Sequence, residues 1–283
     1  MQIAEQSGGI IINADSAQVY RDLRVVTARP SEAEEAALPH DLFGYIDGAE
    51  ACSAARWADD AKTSIAAAHS GGKPAILVGG TGLYHRALLD GLAPIPEIDP
   101  DIRAAVRAMP VGDAYAALEA EDAASAGRLN ATDTSRVQRA LEVVRSTGQT
   151  ITDWQKQKIG GIRDEITLSP AILLPDREWL FDRCNRRFAD MFDSGAIEEV
   201  EALIARNLDP SLPIMRAIGV PEISAFLAGS QSRKEAIAAA AQATRRYAKR
   251  QYTWFSNQPP AVWRRANESE YDDISKNIVT KLQ

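Results

Sequence analysis

Two short apolar runs constrain this chain more than any other feature. Ile10-Ile11-Ile12 follows Gly8-Gly9 and stops at Asn13-Ala14-Asp15-Ser16, and Pro74-Ala-Ile-Leu-Val78 stops at Gly79-Gly80-Thr81-Gly82. Each has the length and aliphatic content of a strand buried on both faces and bounded by turn residues. Residues 53–69 between them are alanine-rich, carry their charges to one side and close at Gly71-Gly72, which predicts a helix. Strand, helix and strand in so short a span imply a parallel α/β sheet. Ligands of such sheets bind at the carboxyl ends of the strands, where Asp15 and the Gly79–Gly82 turn fall.

The texture changes at Leu92–Pro100, a proline-punctuated connector. Helical patterns follow to Gly148, with no strand-like run until Ala171–Leu174, and a long helix is expected over Asp176–Asp193. This order predicts an α/β core over residues 1–93 and 168–283 and a helical insertion over 94–167. Ser232-Arg-Lys-Glu235 has the spacing of a capping box and starts a helix expected to run to Asn257, before Pro259-Pro260. Ala261-Val-Trp263 is expected as an edge strand, and Asn267–Gln283 as an amphipathic helix.

With 45% apolar and 25% charged residues among 283, the composition is that of an ordinary soluble protein. The apolar run Ala236–Ala241 is far short of a membrane span, so no membrane partner and a cytoplasmic location are expected. Cys52 and Cys184, and His40, His69 and His85, lack zinc-ligand spacing. Net charge is −7, yet the charges are segregated. Residues 1–60 hold eleven acids against four arginines, whereas residues 244–265 hold Arg245, Arg246, Lys249, Arg250, Arg264 and Arg265 and no acid. An acidic protein with a local basic face can still bind nucleic acid.

Asp15 has two readings: a general base on a substrate amine, or a cap for the next helix. The Gly79–Gly82 turn lets a backbone approach a ligand closely and offers free amides to an anion. No Gly-x-x-x-x-Gly-Lys-Ser/Thr occurs. Arg136 and Arg139, within Ser135-Arg-Val-Gln-Arg139, share a helical face that is either solvated or in contact with an anion. Arg216, three residues before Gly219, suits a phosphate. In Thr244–Trp254, Arg245/Lys249 and Arg246/Arg250 are like-charged i,i+4 pairs, which repel unless an anionic partner is near. Tyr247, Tyr252, Trp254 and Phe255 supply either stacking surfaces or core packing.

In this order, Ala14-Asp-Ser-Ala-Gln-Val-Tyr20, Thr27-Ala-Arg-Pro30, Val78-Gly-Gly-Thr-Gly-Leu-Tyr84, Arg136-Val-Gln-Arg-Ala-Leu-Glu142, Arg216-Ala-Ile-Gly219 and Thr244–Trp254 resemble the tRNA dimethylallyltransferases, or tRNA isopentenyltransferases. The resemblance covers about residues 8–257. It implies a P-loop NTPase-like parallel sheet core with a helical insertion. It also implies transfer of a dimethylallyl group from its diphosphate to N6 of the adenosine immediately 3′ of a tRNA anticodon. Asp15 would then be the base and Thr81 a neighbour of the reacting groups. Asp15, Ser16, Ala17 and Gln18 would touch the target base. Arg103, Ser135, Arg136, Val137, Gln138 and Arg139 would contact the anticodon stem-loop, with Arg246 and Arg250 on phosphates. Arg216 would face diphosphate or RNA, beside Gly79 and Gly80. Mg2+ would neutralise the leaving diphosphate, and a monomer is expected.

The chain departs from the pattern at three places. Arg29 stands where the family commonly has lysine, and Val220 where many members have an aromatic residue. The first strand and the P-loop of the family are absent, and Met1 aligns inside the helix that follows them. An in-frame upstream stretch encoding both is therefore expected, with Met1 an internal methionine. Without it, Ile11 and Val78 should lack partners and the 283 residues should be poorly stable and inactive. A P-loop-type small-molecule kinase and a non-catalytic tRNA-binding relative are the alternatives.

Overall fold

The computed structural model describes residues 1–282, and the two apolar runs pair in its first sheet. Strand β1 (Ile10–Asn13) lies between β2 (His40–Asp41) and β3 (Ala75–Val78), all three parallel. The register sets Asn13 beside Val78, so the loops leaving β1 and β3 emerge side by side. Helix α1 (Gln2–Ser7) precedes β1 and ends at Gly8 in a left-handed conformation. Helix α2 (Glu32–Ala37) opens on a capping box at Ser31, α3 (Ala54–Ser70) carries the alanine-rich stretch, and α4 (Gly82–Asp90) leaves the glycine turn.

Trp57 of α3 is fully buried and stacks on Tyr84 of α4 at 4.4 Å between ring centroids. Its indole N–H donates to the Asn13 carbonyl at 2.9 Å, which ties both helices to the end of β1. Ile11 was expected to lack partners; it pairs with His40 on one side and Ile76 on the other and is 4% exposed. Val78, on the edge strand, is 52% exposed.

The described chain divides into two compact units, Met1–Leu88 with the chain from Ile166 onward, and Leu89–Glu165. The second unit starts before the proline connector because Leu92 and Ile159 exchange backbone hydrogen bonds of 3.1 and 3.0 Å. It contains α5 (Pro100–Ala108), α6 (Val111–Glu121), α7 (Ala123–Ala126), α8 (Thr134–Thr147) and α9 (Ile151–Gln155). Val106, Ala114, Leu118, Ala126, Val137, Ala140 and Leu141 form its core. Asp99 caps α5 and Asp133 caps α8.

In the first unit the chain continues through β4 (Ala171–Leu173), α10 (Arg177–Phe192), α11 (Ala196–Ala205), a 3-10 turn (Pro213–Arg216), α12 (Val220–Leu227) and α13 (Arg233–Asn257). The Ser232–Glu235 capping box is formed at the start of α13. Strand β5 (Arg264–Ala266) pairs parallel with β4, and α14 (Tyr271–Leu282) follows; Gln283, expected in this helix, lies outside the described residues. The edge strand expected at Ala261–Trp263 is displaced to 264–266. Val262 is 90% exposed, and the Arg265 guanidinium folds back onto the carbonyls of Pro259, Pro260, Ala261 and Trp263. Those carbonyls are satisfied within the turn rather than by a neighbouring strand.

One carboxylate anchors the loop after β1. Glu199 of α11 accepts the amides of Arg24, Val25 and Val26 at 2.7, 2.8 and 3.1 Å. Replacing Glu199 with Gln turns one acceptor oxygen into a donor that faces an amide. Leaving a buried amide unpaired costs roughly 1–3 kcal/mol; a loss of that size in urea unfolding is expected, and an unchanged midpoint would contradict this role.

Candidate active site at the ends of β1 and β3

Asn13, the last residue of β1, is fully buried and its carboxamide shapes the next turn. It donates to the carbonyls of Asp15 and Leu42, each at 3.0 Å, and accepts the Asp15 amide at 2.8 Å. Asp15 in turn accepts the Ala17 amide at 2.8 Å. No helix begins here, so the reading of Asp15 as a helix cap fails. The carboxylate instead stands half-buried at the mouth of the sheet. Burial raises its pKa above the ordinary aspartate value, against the amides of Ala17 and Gln18 and the positive charge of Arg187, which lower it.

The glycine turn meets this loop directly. Thr81 donates its amide to the Ala14 carbonyl at 3.2 Å and accepts the Ser16 amide on its hydroxyl oxygen at 2.9 Å. A Cβ on Gly79 would lie 2.1 Å from the Ala14 carbonyl carbon, and one on Gly82 would lie 2.4 Å from the Trp254 ring. The space beside Gly80 holds the Gln251 amide, which donates to the Gly80 carbonyl at 2.9 Å. Gly79 and Gly80 were expected to admit diphosphate. On the Cβ side of each glycine stand the Asp15 loop and Gln251 of α13.

Helix α13 therefore docks on the mouth of the sheet. Burial, then the Asp15 charge, push the pKa of the Tyr247 hydroxyl up against the opposing influence of neighbouring Thr81, Arg250 and Gln251, so it stays protonated. His85, in the first turn of α4, lies 3.2 Å from the Gly79 carbonyl and edge-on to Phe255. Burial lowers the pKa of its imidazole. The Gln18 carboxamide donates to the carbonyls of Thr27 and Ala28 at 3.0 and 2.9 Å. Arg29 lies inside the same loop and donates to the Tyr20 carbonyl at 3.2 Å.

The remaining site residues separate by unit. Arg216 is exposed in its 3-10 turn, where its charge is felt by Asp209. Arg246, Lys249 and Arg250 are exposed on α13 and none forms an ion pair among the described residues, while Arg245 hydrogen-bonds Asn185. Arg250 lies 5.4 Å above the Tyr247 ring. In the helical unit Ser135 and Arg136 are exposed, and Gln138 reaches the carbonyls of Val106 and Arg107. Arg103 is half-buried, and its Nε has no hydrogen-bond partner. Val137, expected on the RNA, is 0% exposed in the helical core, so its side chain packs and does not contact a ligand.

Sequence reasoning missed Asn13, Arg187 and the placement of Tyr247 against Asp15. Among the described residues no group of three His, Cys, Asp or Glu side chains lies together, and the carboxylate of Asp15 is engaged by backbone amides. No helix among the described residues is long and apolar enough to cross a membrane.

The family model for IPP transferases matches residues 18–258. The chain belongs to the IPP transferase family. It is 60% identical over 275 residues to the tRNA dimethylallyltransferase of Sphingopyxis alaskensis, covering 97% of this chain and 90% of that one. It is also 60% identical over 262 residues to that of Erythrobacter litoralis, covering 93% and 83%. The full-length tRNA isopentenylpyrophosphate transferase of Bacillus halodurans superposes with a TM-score of 0.69 at 31% identity, over 99% of this chain and 89% of its own. A eukaryotic dimethylallyltransferase acting on tRNA, at 23% identity, shares the fold with a TM-score of 0.77 over 98% of this chain and 73% of its own. The fold is thus the P-loop NTPase-like α/β architecture of the tRNA isopentenyltransferases, and the chain is a prenyltransferase of the IPP transferase family.

The electrostatics of the mouth can be read kinetically. The acid limb of kcat/KM reports the carboxylate that must be ionised in the free enzyme. Arg187 lowers the Asp15 pKa, so Arg187→Gln removes that effect and the acid limb should move to higher pH. A limb that stays in place would separate Arg187 from Asp15.

Proposed function

We propose that this protein transfers a dimethylallyl group from dimethylallyl diphosphate to N6 of the adenosine immediately 3′ of the anticodon of tRNAs. It does so as a monomer in the cytoplasm. The observation that carries the assignment of roles is the placement of Asp15. A half-buried carboxylate of raised pKa stands at the mouth of the sheet, held by Asn13 and faced by Thr81, Tyr247 and Arg187. An adenine amine is a weak nucleophile because its lone pair is delocalised into the ring. A base that removes its proton as the new bond forms answers that weakness.

In the proposed step the N6 nitrogen bonds to the allylic carbon, whose bond to the diphosphate oxygen breaks. The electron pair of that bond leaves with the diphosphate, and the N6 proton passes to Asp15. Thr81 and Ser16 keep the Asp15 turn fixed during the exchange, and protonated Tyr247 and the Arg187 cation hold the anionic end of the donor. The target base has to leave the RNA stack to reach this mouth, which costs less in a loop than in a duplex. The exposed cations Arg246 and Arg250, without carboxylate partners among the described residues, hold RNA phosphates and so contribute affinity without sequence preference.

Asp15→Asn keeps the size of the side chain and its acceptor for the Ala17 amide but cannot take a proton. Loss of a general base lowers rates by ~10²–10⁴, and a fall of that order in prenylated-adenosine formation by the full-length protein is expected, with anticodon stem-loop affinity unchanged. Turnover close to that of the unmodified enzyme would leave Asp15 only its role in shaping the loop.

A further inference from the structure

The turn after β3 contains Gly79, Gly80 and Gly82, so its backbone has little conformational preference of its own. The Gly80–Thr81 peptide is nevertheless held at both ends. Its N–H donates to the Ala14 carbonyl at 3.2 Å, and its C=O accepts the Gln251 side-chain amide at 2.9 Å. A peptide unit is planar, so bonds at its two ends fix how the plane is rotated. That rotation sets the direction of the Thr81 Cα–Cβ bond, and the Thr81 hydroxyl oxygen accepts the Ser16 amide at 2.9 Å.

Gln251 reaches the turn from α13, 171 residues further along the chain than Gly80. Its amide occupies the space where a Cβ on residue 80 would stand, so this position accepts only glycine while Gln251 is in place. Tyr247 neighbours both Thr81 and Gln251, and the Trp254 ring fills the space beside Gly82. Residues 247, 251 and 254 are spaced by four and three, so one face of α13 follows the turn. His85 meets the Gly79 carbonyl at 3.2 Å but belongs to the helix that leaves the turn, whereas Gln251 holds the turn from a separate helix.

We propose that Gln251 is a positioning residue for the transfer reaction. It locks the Gly80–Thr81 peptide, Thr81 holds the Ser16 amide, and the Asp15 carboxylate is thereby kept where it takes the N6 proton. Without the lock, the glycine backbone lets this peptide turn over at little cost. The Thr81 amide then leaves the Ala14 carbonyl, and the Thr81 hydroxyl leaves Ser16. The inference rests on Asp15 acting as the base on the adenine amine, and adds a residue that acts through Thr81 rather than on a substrate.

The test is steady-state prenylation of an anticodon stem-loop by the full chain. Gln251→Met keeps the size of the side chain and removes the donor; Gln251→Glu keeps its shape and at neutral pH offers acceptors only. In both, kcat should fall about ten- to a hundredfold. KM for dimethylallyl diphosphate and stem-loop affinity should stay unchanged, as for a group that acts only in the transition state. The Thr81 amide should exchange with deuterium faster in Gln251→Met, by up to about tenfold. Thr81→Val should also lower kcat, and adding Gln251→Met to it should lower kcat no further, because the two residues act through one hydrogen bond. Losses that multiply in the double variant would overturn the link from Gln251 through Thr81, and so would a Gln251→Met enzyme with unmodified kcat. Either result, obtained with an unmodified chain that transfers the group, would leave the catalytic reading intact. An unmodified chain that binds the stem-loop and transfers nothing would overturn the catalytic reading, and this inference with it.

Discussion

The buried carboxamide of Asn13 is the interaction on which the rest of the first unit depends. It accepts the Asp15 amide and donates to the carbonyls of Asp15 and Leu42, and the backbone carbonyl of the same residue takes the Trp57 indole. One residue thereby joins the end of β1, the chain leaving β2, helix α3 and the turn that carries Asp15. A fully satisfied buried polar group of this kind rigidifies its surroundings, because any alternative arrangement strands a donor or acceptor away from water. Thr81 repeats the device from the neighbouring strand by accepting the Ser16 amide. The mouth of the sheet is therefore preorganised before any substrate arrives.

That rigidity lets the mouth sustain an unfavourable charge. Burial works against the ionised form of Asp15, and only two amides and a cation oppose it. The result is a stronger base than a solvated aspartate. Helix α13 completes the enclosure through Gln251 and Trp254 against the glycine turn, while Tyr247 stands protonated beside the carboxylate. The same helix presents Arg246, Lys249 and Arg250 to solvent. One element thus packs its polar and aromatic side chains on the glycine turn and keeps its cations in solvent.

Much of this was legible in the sequence where the signal is local. The β-branched run at Ile10, the alanine-rich helix before Gly71 and the Ser232–Glu235 box depend on residues near one another in the chain, and each formed as its pattern implies. What depends on packing was not legible. Asn13 reads as the first polar residue of a loop, and only the return of Leu42 and Trp57 makes it a buried hub. Arg187 is one of several arginines on α10, and which of them faces Asp15 is set by how α10 lies against α13. Val137 carries an inward pattern with Ala140 and Leu141, and the basic residues around it masked that pattern. The strand expected at Val262 failed because Pro259, Pro260 and Arg265 satisfy one another in a turn.

The central claim is that the Asp15 mouth directs prenyl transfer to an adenine amine. The most direct measurement is nucleoside mass spectrometry of tRNA incubated with the full-length protein and dimethylallyl diphosphate. The account predicts one dimethylallyl group on N6 of the adenosine next to the anticodon, with one diphosphate released for each group transferred. A tRNA that is bound by the protein and recovered with that adenosine unmodified would contradict it.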